Sequence, residues 1–224
     1  MFRSWIFLIL WLSWTMIWGI VFSPMLLLSR GHRLILKVGR TWSKVTIFLL
    51  ENICQITSNI IGLENIPKGP FIVASKHQSA WETIFFLCLF ENPIFVIKQE
   101  LIKIPIYGWY LDKMLMISID RKRGGNALKH IRLGVSSAIA QGRPVIIFPE
   151  GTRAAISSRV KLKSGIKFLH EQFPDIPIIP ISLNSGMHWV NNSIMKKPGI
   201  IQVKIYKEFK HKENFLDALE ILIN

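Results

Sequence analysis

Two stretches of this chain carry residues whose types and spacing could do chemistry. The first is Ser75-Lys76-His77-Gln78-Ser79-Ala80-Trp81-Glu82, in which an imidazole and a carboxylate stand five residues apart. On a continuous helix, five steps of about 100° leave two side chains about 140° apart and out of contact. His77 and Glu82 therefore meet only if His77 lies at or before a helix start and Glu82 lies in its first turns. In that placement the carboxylate holds one ring nitrogen and the other is left to take a proton. The alternative is a surface histidine beside an ordinary glutamate. The same spacing recurs at His170 and Asp175, so spacing alone does not mark a site. That second pair spans Pro174 at a helix end and is expected to play no part in catalysis.

The second stretch is Phe148-Pro149-Glu150-Gly151-Thr152-Arg153. Gly151 lets the backbone turn tightly. Thr152 and Arg153 bring a hydroxyl and a guanidinium to a strand end, a common way to hold a phosphate. From Arg153 to Lys167, both included, there are five basic residues and no acid. The loop Asp120-Arg121-Lys122-Arg123-Gly124-Gly125 is also ready for an anion. Such loops can be plain solvated charge, but their number on one chain favours a phosphate-bearing head group.

The elements that position these loops read as one α/β domain. Short apolar runs at 71–74, 93–97, 114–119, 144–148, 176–183 and 200–206 are expected as strands. Helical periodicity is expected over 81–90, 126–141, 164–170 and 215–223. Strands alternating with helices, several of them continuous apolar runs, imply a mixed, largely parallel sheet with helices on both faces. There is no internal repeat and no low-complexity tract.

The chain has 224 residues, half of them hydrophobic, with 28 basic against 14 acidic residues and a formal net charge of +14. That composition excludes disorder as the main state and predicts an anionic partner. Two cysteines, Cys54 and Cys88, cannot make a disulfide framework. From Ser4 to Ser29 there are 26 residues without a charge. As a helix these rise about 39 Å at about 1.5 Å per residue, more than the ~30 Å hydrocarbon core. The run is too long for a secretory signal, so an uncleaved anchor is expected. Trp11, Trp14 and Trp18 form one helical stripe, and tryptophan favours the membrane interface. A helix lying obliquely in one leaflet suits this as well as a straight span. Arg30, Arg33, Lys37, Arg40 and Lys44 follow, a cytoplasmic-side signature. Val45–Ile61 is expected as an amphipathic helix against the membrane or the first helix. The expected organisation is thus a membrane-associated helical pair over residues 1–61 and a catalytic domain over 62–224.

HQSAWE, KQELIKIPIYGW, FPEGTR and IPIIPISL occur in that order. Together they resemble the blocks of the glycerolipid acyltransferase family, most of all its bacterial members that acylate lysophosphatidic acid. The resemblance runs from about Gly62 to Tyr206. It also takes in the basic N-terminal helical pair, which in the family docks on the membrane. It implies transfer of a fatty acyl group from a thioester to the sn-2 hydroxyl of lysophosphatidic acid, giving phosphatidic acid for phospholipid synthesis. His77 would be the general base, Glu82 would hold its ring, and Lys98 would stand near the developing oxyanion. Arg121 would contact the acceptor phosphate, and Glu150, Gly151, Thr152 and Arg153 would form the acceptor-binding block. No acyl-enzyme, cofactor or metal is implied. The co-substrate would be acyl-acyl carrier protein or acyl-coenzyme A, and the setting the cytoplasmic membrane with the catalytic domain facing the cytoplasm.

One departure stands out: the family's first block usually ends in Asp, and here it ends in Glu82. On sequence grounds Glu82→Asp is therefore expected to be tolerated or to improve the rate. Two other readings compete. One is an acyltransferase that uses another lysolipid or glycerol 3-phosphate. The other is a non-catalytic, membrane-tethered binder of anionic lipid or nucleic acid. Nucleic acid is not expected, because the aromatics concentrate in the anchor instead of interleaving with the basic loops.

Overall fold

The computed structural model describes residues 1–28, 31–120, 125–154, 160–210 and 213–224. Two long helices come first, α1 (Phe2–Leu28) and α2 (His32–Cys54). Then follow β1 (Ile56–Ile61), β2 (Ile72–Ser75), α3 (Trp81–Leu89), β3 (Ile94–Lys98) and α4 (Tyr107–Lys113). Next are β4 (Ile117–Ile119), α5 (Gly125–Ala140), β5 (Val145–Ile147) and α6 (Gly165–Gln172). The chain closes with β6 (Ile178–Leu183), β7 (Gly199–Ile205) and α7 (Phe215–Ile223).

The strands form one seven-stranded sheet in the order β1-β7-β6-β2-β5-β3-β4. Every neighbouring pair is parallel except β6 with β7. The sheet is mixed and largely parallel, as expected. Alternation along the strands sends side chains to two cores. Val73, Ile146, Ile179 and Ile181 face α3 and the N-terminal helices, meeting Trp81, Phe86, Leu50 and Phe7. Ile72, Val145, Ile147 and Ile178 face α5, α6 and α7, meeting Val135, Ile166 and Leu219.

Two expectations change. Val45–Ile61 divides into two elements: α2 ends at Cys54, and residues 56–61 pair with β7 as an edge strand of the sheet. Gln55 ends the helix in the left-handed region (φ 55°), donating its N–H to Glu51 O at 3.1 Å. Ile56, Thr57, Ile60 and Ile61 are β-branched, and their side chains suit a pleated edge better than a helix. Within 114–119 only Ile117–Ile119 is extended. The residues just before it form α4, and Met114 is buried against Ile35 and Leu36 of α2.

Helix α1 is long and apolar enough, over Phe2–Leu26, to cross a membrane. Its two sides differ. Ile9, Leu12, Met16, Ile17, Ile20 and Val21 are exposed. The stripe of Trp11, Trp14 and Trp18, expected to favour the membrane interface, instead turns inward. Trp11 packs on Trp189, Trp14 Nε1 donates to Trp42 O at 3.4 Å, and Trp42 Nε1 donates to Thr15 Oγ1 at 3.1 Å. The buried face of α2 runs through Ile35, Gly39, Ser43, Thr46, Leu50 and Cys54 at helical spacing. At Gly39 a Cβ would come within 2.5 Å of the Met114 methyl carbon, so this helix lies close against its neighbour.

Candidate active site

The adjacent strands β5, β2 and β6 run parallel and end side by side, the usual place for a ligand in an open α/β sheet. The loop leaving β2 carries His77, and α3 starts four residues later at Trp81. Glu82 is thus in the first turn of α3 and His77 lies before it, the only placement in which the two could meet. His77 Nδ1 lies 2.9 Å from Glu82 Oε1. Because the carboxylate can only accept, Nδ1 carries the proton and donates it to this bond. In the neutral imidazole this leaves the lone pair on Nε2. The His77 side chain is 16% exposed, whereas Glu82 is fully buried. Its ring stacks on Phe148 at 4.1 Å, and Phe148 in turn lies over Phe86.

Glu82 receives four further donors. The Gln78 and Ser79 N–H groups reach Oε1 at 2.5 and 2.7 Å. The Ser79 and Ser185 hydroxyls reach Oε2 at 2.8 and 2.7 Å. Burial is the largest single influence on this carboxyl and pushes its pKa up. The bond and charge of His77, the Ser79 N–H and the Ser185 hydroxyl outweigh burial, so the net direction is downward. The carboxylate is therefore ionised and fixed, as an orienting group must be.

The reach from Glu82 back to the Ser79 N–H, with Ser79 Oγ accepting from Trp81 N at 3.1 Å, is a close variant of the capping box at a helix start. Glutamate is the side chain this cap motif uses. The extra methylene at position 82 is thus used to span both the helix cap and the imidazole.

The loop leaving β5 clamps His77 from the other side. Glu150 Oε2 accepts the His77 N–H at 3.0 Å, and the Ala154 N–H donates to His77 O at 2.8 Å. Gly151 makes the turn between them with φ 73°. Glu150 is buried, while Thr152 and Arg153 are exposed at the loop tip. Arg153 donates to Asn191 Oδ1 at 3.3 Å. Lys98 ends β3 and is exposed. It is in register with Ile119 of β4, and its strand lies two places from β2 in the sheet, about 10 Å at the usual strand spacing. Arg121 lies outside the described residues. His170 stacks on Phe215 at 4.8 Å, on the face of the sheet that α7 covers.

Burial pushes the Glu150 carboxyl up to about 7, against the pull of the His77 N–H and of Lys76, with Glu82 and Glu220 adding to the push. An unfolded chain would ionise this group near 4.5 and the folded one near 7. Folded stability therefore falls as the pH rises through that window and levels off above it. Glu150→Gln keeps an acceptor for the His77 N–H and has no proton to lose. The melting temperature of this variant, relative to wild type, is expected to climb between pH 4.5 and pH 7 in calorimetry. A difference that does not vary with pH would contradict this account of Glu150.

Sequence reasoning brought together His77, Glu82 and the Glu150–Arg153 loop, and it missed the two serines. Ser79 could have been found, because Ser-x-x-Glu before an apolar run is a helix-start signature. Ser185 carried no signal, since its partner is 103 residues away in sequence.

A buried carboxylate bonded to an imidazole, with a hydroxyl and a guanidinium on the neighbouring loop, thus gathers at the ends of parallel strands. The chain belongs to the acyltransferase family, whose model matches residues 57–184. The 1-acyl-sn-glycerol-3-phosphate acyltransferase of Pseudomonas aeruginosa is 34% identical over 206 residues, covering 91% of this chain and 79% of that protein. The Saccharomyces cerevisiae protein of the same name is 28% identical over 129 residues, and the match spans 42% of its length. The crystal structure of the 1-acyl-sn-glycerophosphate (LPA) acyltransferase PlsC from Thermotoga maritima superposes with a TM-score of 0.77. It covers 99% of this chain and 93% of that one at 22% identity, and shows the same fold.

Proposed function

We propose that the protein transfers a fatty acyl group from a thioester to the sn-2 hydroxyl of lysophosphatidic acid, giving phosphatidic acid for phospholipid synthesis. One observation carries the mechanism: Nδ1 of His77 is held by a buried carboxylate, and Nε2 is free at the sheet end beside the Glu150–Arg153 loop. The activity for which the Pseudomonas aeruginosa relative is named supports the choice of acceptor.

In this reading Nε2 takes the hydroxyl proton as the acceptor oxygen attacks the thioester carbonyl. The carbon–sulfur bond then breaks, and the departing thiolate takes the proton back from the imidazolium. Glu82 stabilises the imidazolium between the two transfers. In the same reading Lys98 stabilises the oxyanion, and Arg121, Thr152 and Arg153 hold the acceptor phosphate. Glu150 and Gly151 shape that loop. The thioester is acyl-acyl carrier protein or acyl-coenzyme A. The exposed face of α1 and the basic residues Arg33, Lys37, Arg40 and Lys44 of α2 seat the domain on the cytoplasmic membrane, where the one-chain acceptor resides.

The test is a panel of acceptors offered to the purified protein with each donor in turn. Lysophosphatidic acid is expected to give the highest kcat/KM. Preferred turnover of glycerol 3-phosphate or of a choline lysolipid would move the assignment to that head group.

A further inference from the structure

A pocket of about 340 Å³ lies between the first turns of α1 and the segment that follows β6. That volume is within the ~300–1,000 Å³ usual for small-molecule sites. Its floor reaches Ala80, at the start of α3, and Arg153. His77 does not line it but is tied to the same loop, since its carbonyl accepts from the residue after Arg153.

The lining divides by chemistry. One wall is aromatic: Trp189 meets Phe7 edge-on at 5.5 Å and Trp11 at 5.6 Å. The lining also carries two cations, Arg153 held by Asn191 and Lys196, whose Nζ lies 4.7 Å above the Trp189 ring. Lys196 Nζ also donates to Ile194 O at 3.1 Å. Among the described residues no carboxylate lies within ion-pair distance of either cation. The wall is fixed to the domain. Buried Ser4 Oγ accepts the Lys196 N–H at 3.0 Å and donates to Lys196 O at 3.4 Å, and Phe7 is 1% exposed.

An aromatic wall with two cations that have no carboxylate partner among the described residues fits an amphiphile with a phosphate head. We propose that this pocket seats the lysophosphatidic acid acceptor. Its phosphate lies between Arg153 and Lys196, and the start of its chain runs along Phe7, Trp11 and Trp189. Asn191 is then a positioning residue for Arg153. Helix α1 becomes a wall of the acceptor site as well as a membrane contact. The assignment rests on the acyl-transfer reading above and adds Lys196, Asn191 and the α1 face to it.

The test uses full-length protein in mixed micelles with Lys196→Met and Asn191→Ala, each checked for an unchanged melting temperature. Loss of a charge-assisted contact is expected to raise the KM for lysophosphatidic acid about tenfold or more. The kcat should stay within about twofold and the KM for the thioester should not move. With a neutral monoacylglycerol as acceptor, the variants should match wild type. Alongside, lysophosphatidic acid with a brominated chain should quench Trp189 fluorescence, read as the difference between wild type and Trp189→Phe. Unchanged KM in both variants, or quenching identical with and without Trp189, would overturn the proposal. Quenching without any turnover would leave the pocket standing and overturn the acyl-transfer reading instead.

Discussion

Replacing His77 with alanine is expected to lower acyl transfer by about 10²–10⁴-fold, the usual worth of a general base. The fold should survive. The ring is partly exposed at a loop tip, and the backbone clamp from Glu150 and Ala154 does not depend on the side chain. The measurement is kcat/KM at saturating thioester, with a thermal melt as the control. A melt close to wild type with transfer retained would remove His77 from the reaction.

Glu82→Ala is expected to lower the rate by a comparable factor, through the histidine and not through substrate. It releases the Nδ1 proton, so the imidazole is free to turn and to adopt the wrong tautomer. It also takes the shared acceptor from the buried hydroxyls of Ser79 and Ser185, which keep only their 3.0 Å bond to each other, at about 1–3 kcal/mol for the one donor left unpaired. The melt should therefore drop, unlike that of His77→Ala. Glu82→Asp separates the two effects. The shorter chain cannot reach the Ser79 N–H and the imidazole together, so a clear loss of rate is expected, and not the tolerance the sequence alone suggests. Full activity in Glu82→Asp would mean that the cap and the imidazole do not compete for this carboxylate.

The chemistry of the site was legible because it sits in short contiguous blocks that follow apolar runs. His77, Glu82 and the Glu150–Arg153 loop all lie where the alternation of strand and helix puts them. The β2, β5 and β6 runs were legible because strands buried on both faces are continuous in Ile and Val. The start of β1 was not, for a physical reason. Leu49, Ile53, Ile56 and Ile60 keep a 4-3-4 spacing across the helix end, and no Gly or Pro marks the break. The inward turn of Trp11, Trp14 and Trp18 was hidden as well. Composition makes them membrane residues, and only the position of Trp189 and Trp42 makes them packing residues. The contacts that hold Glu82 from Ser185, and Lys196 from Ser4, join segments more than a hundred residues apart. No local pattern encodes them.

The most direct test of the central claim is a mass balance. Purified wild type and His77→Ala are each given lysophosphatidic acid and an acyl thioester in vesicles, and phosphatidic acid and free thiol are measured together. Wild type is predicted to release one thiol for each phosphatidic acid formed, and His77→Ala to form almost none of either. Thiol release without phosphatidic acid, or equal product from both proteins, would contradict the account.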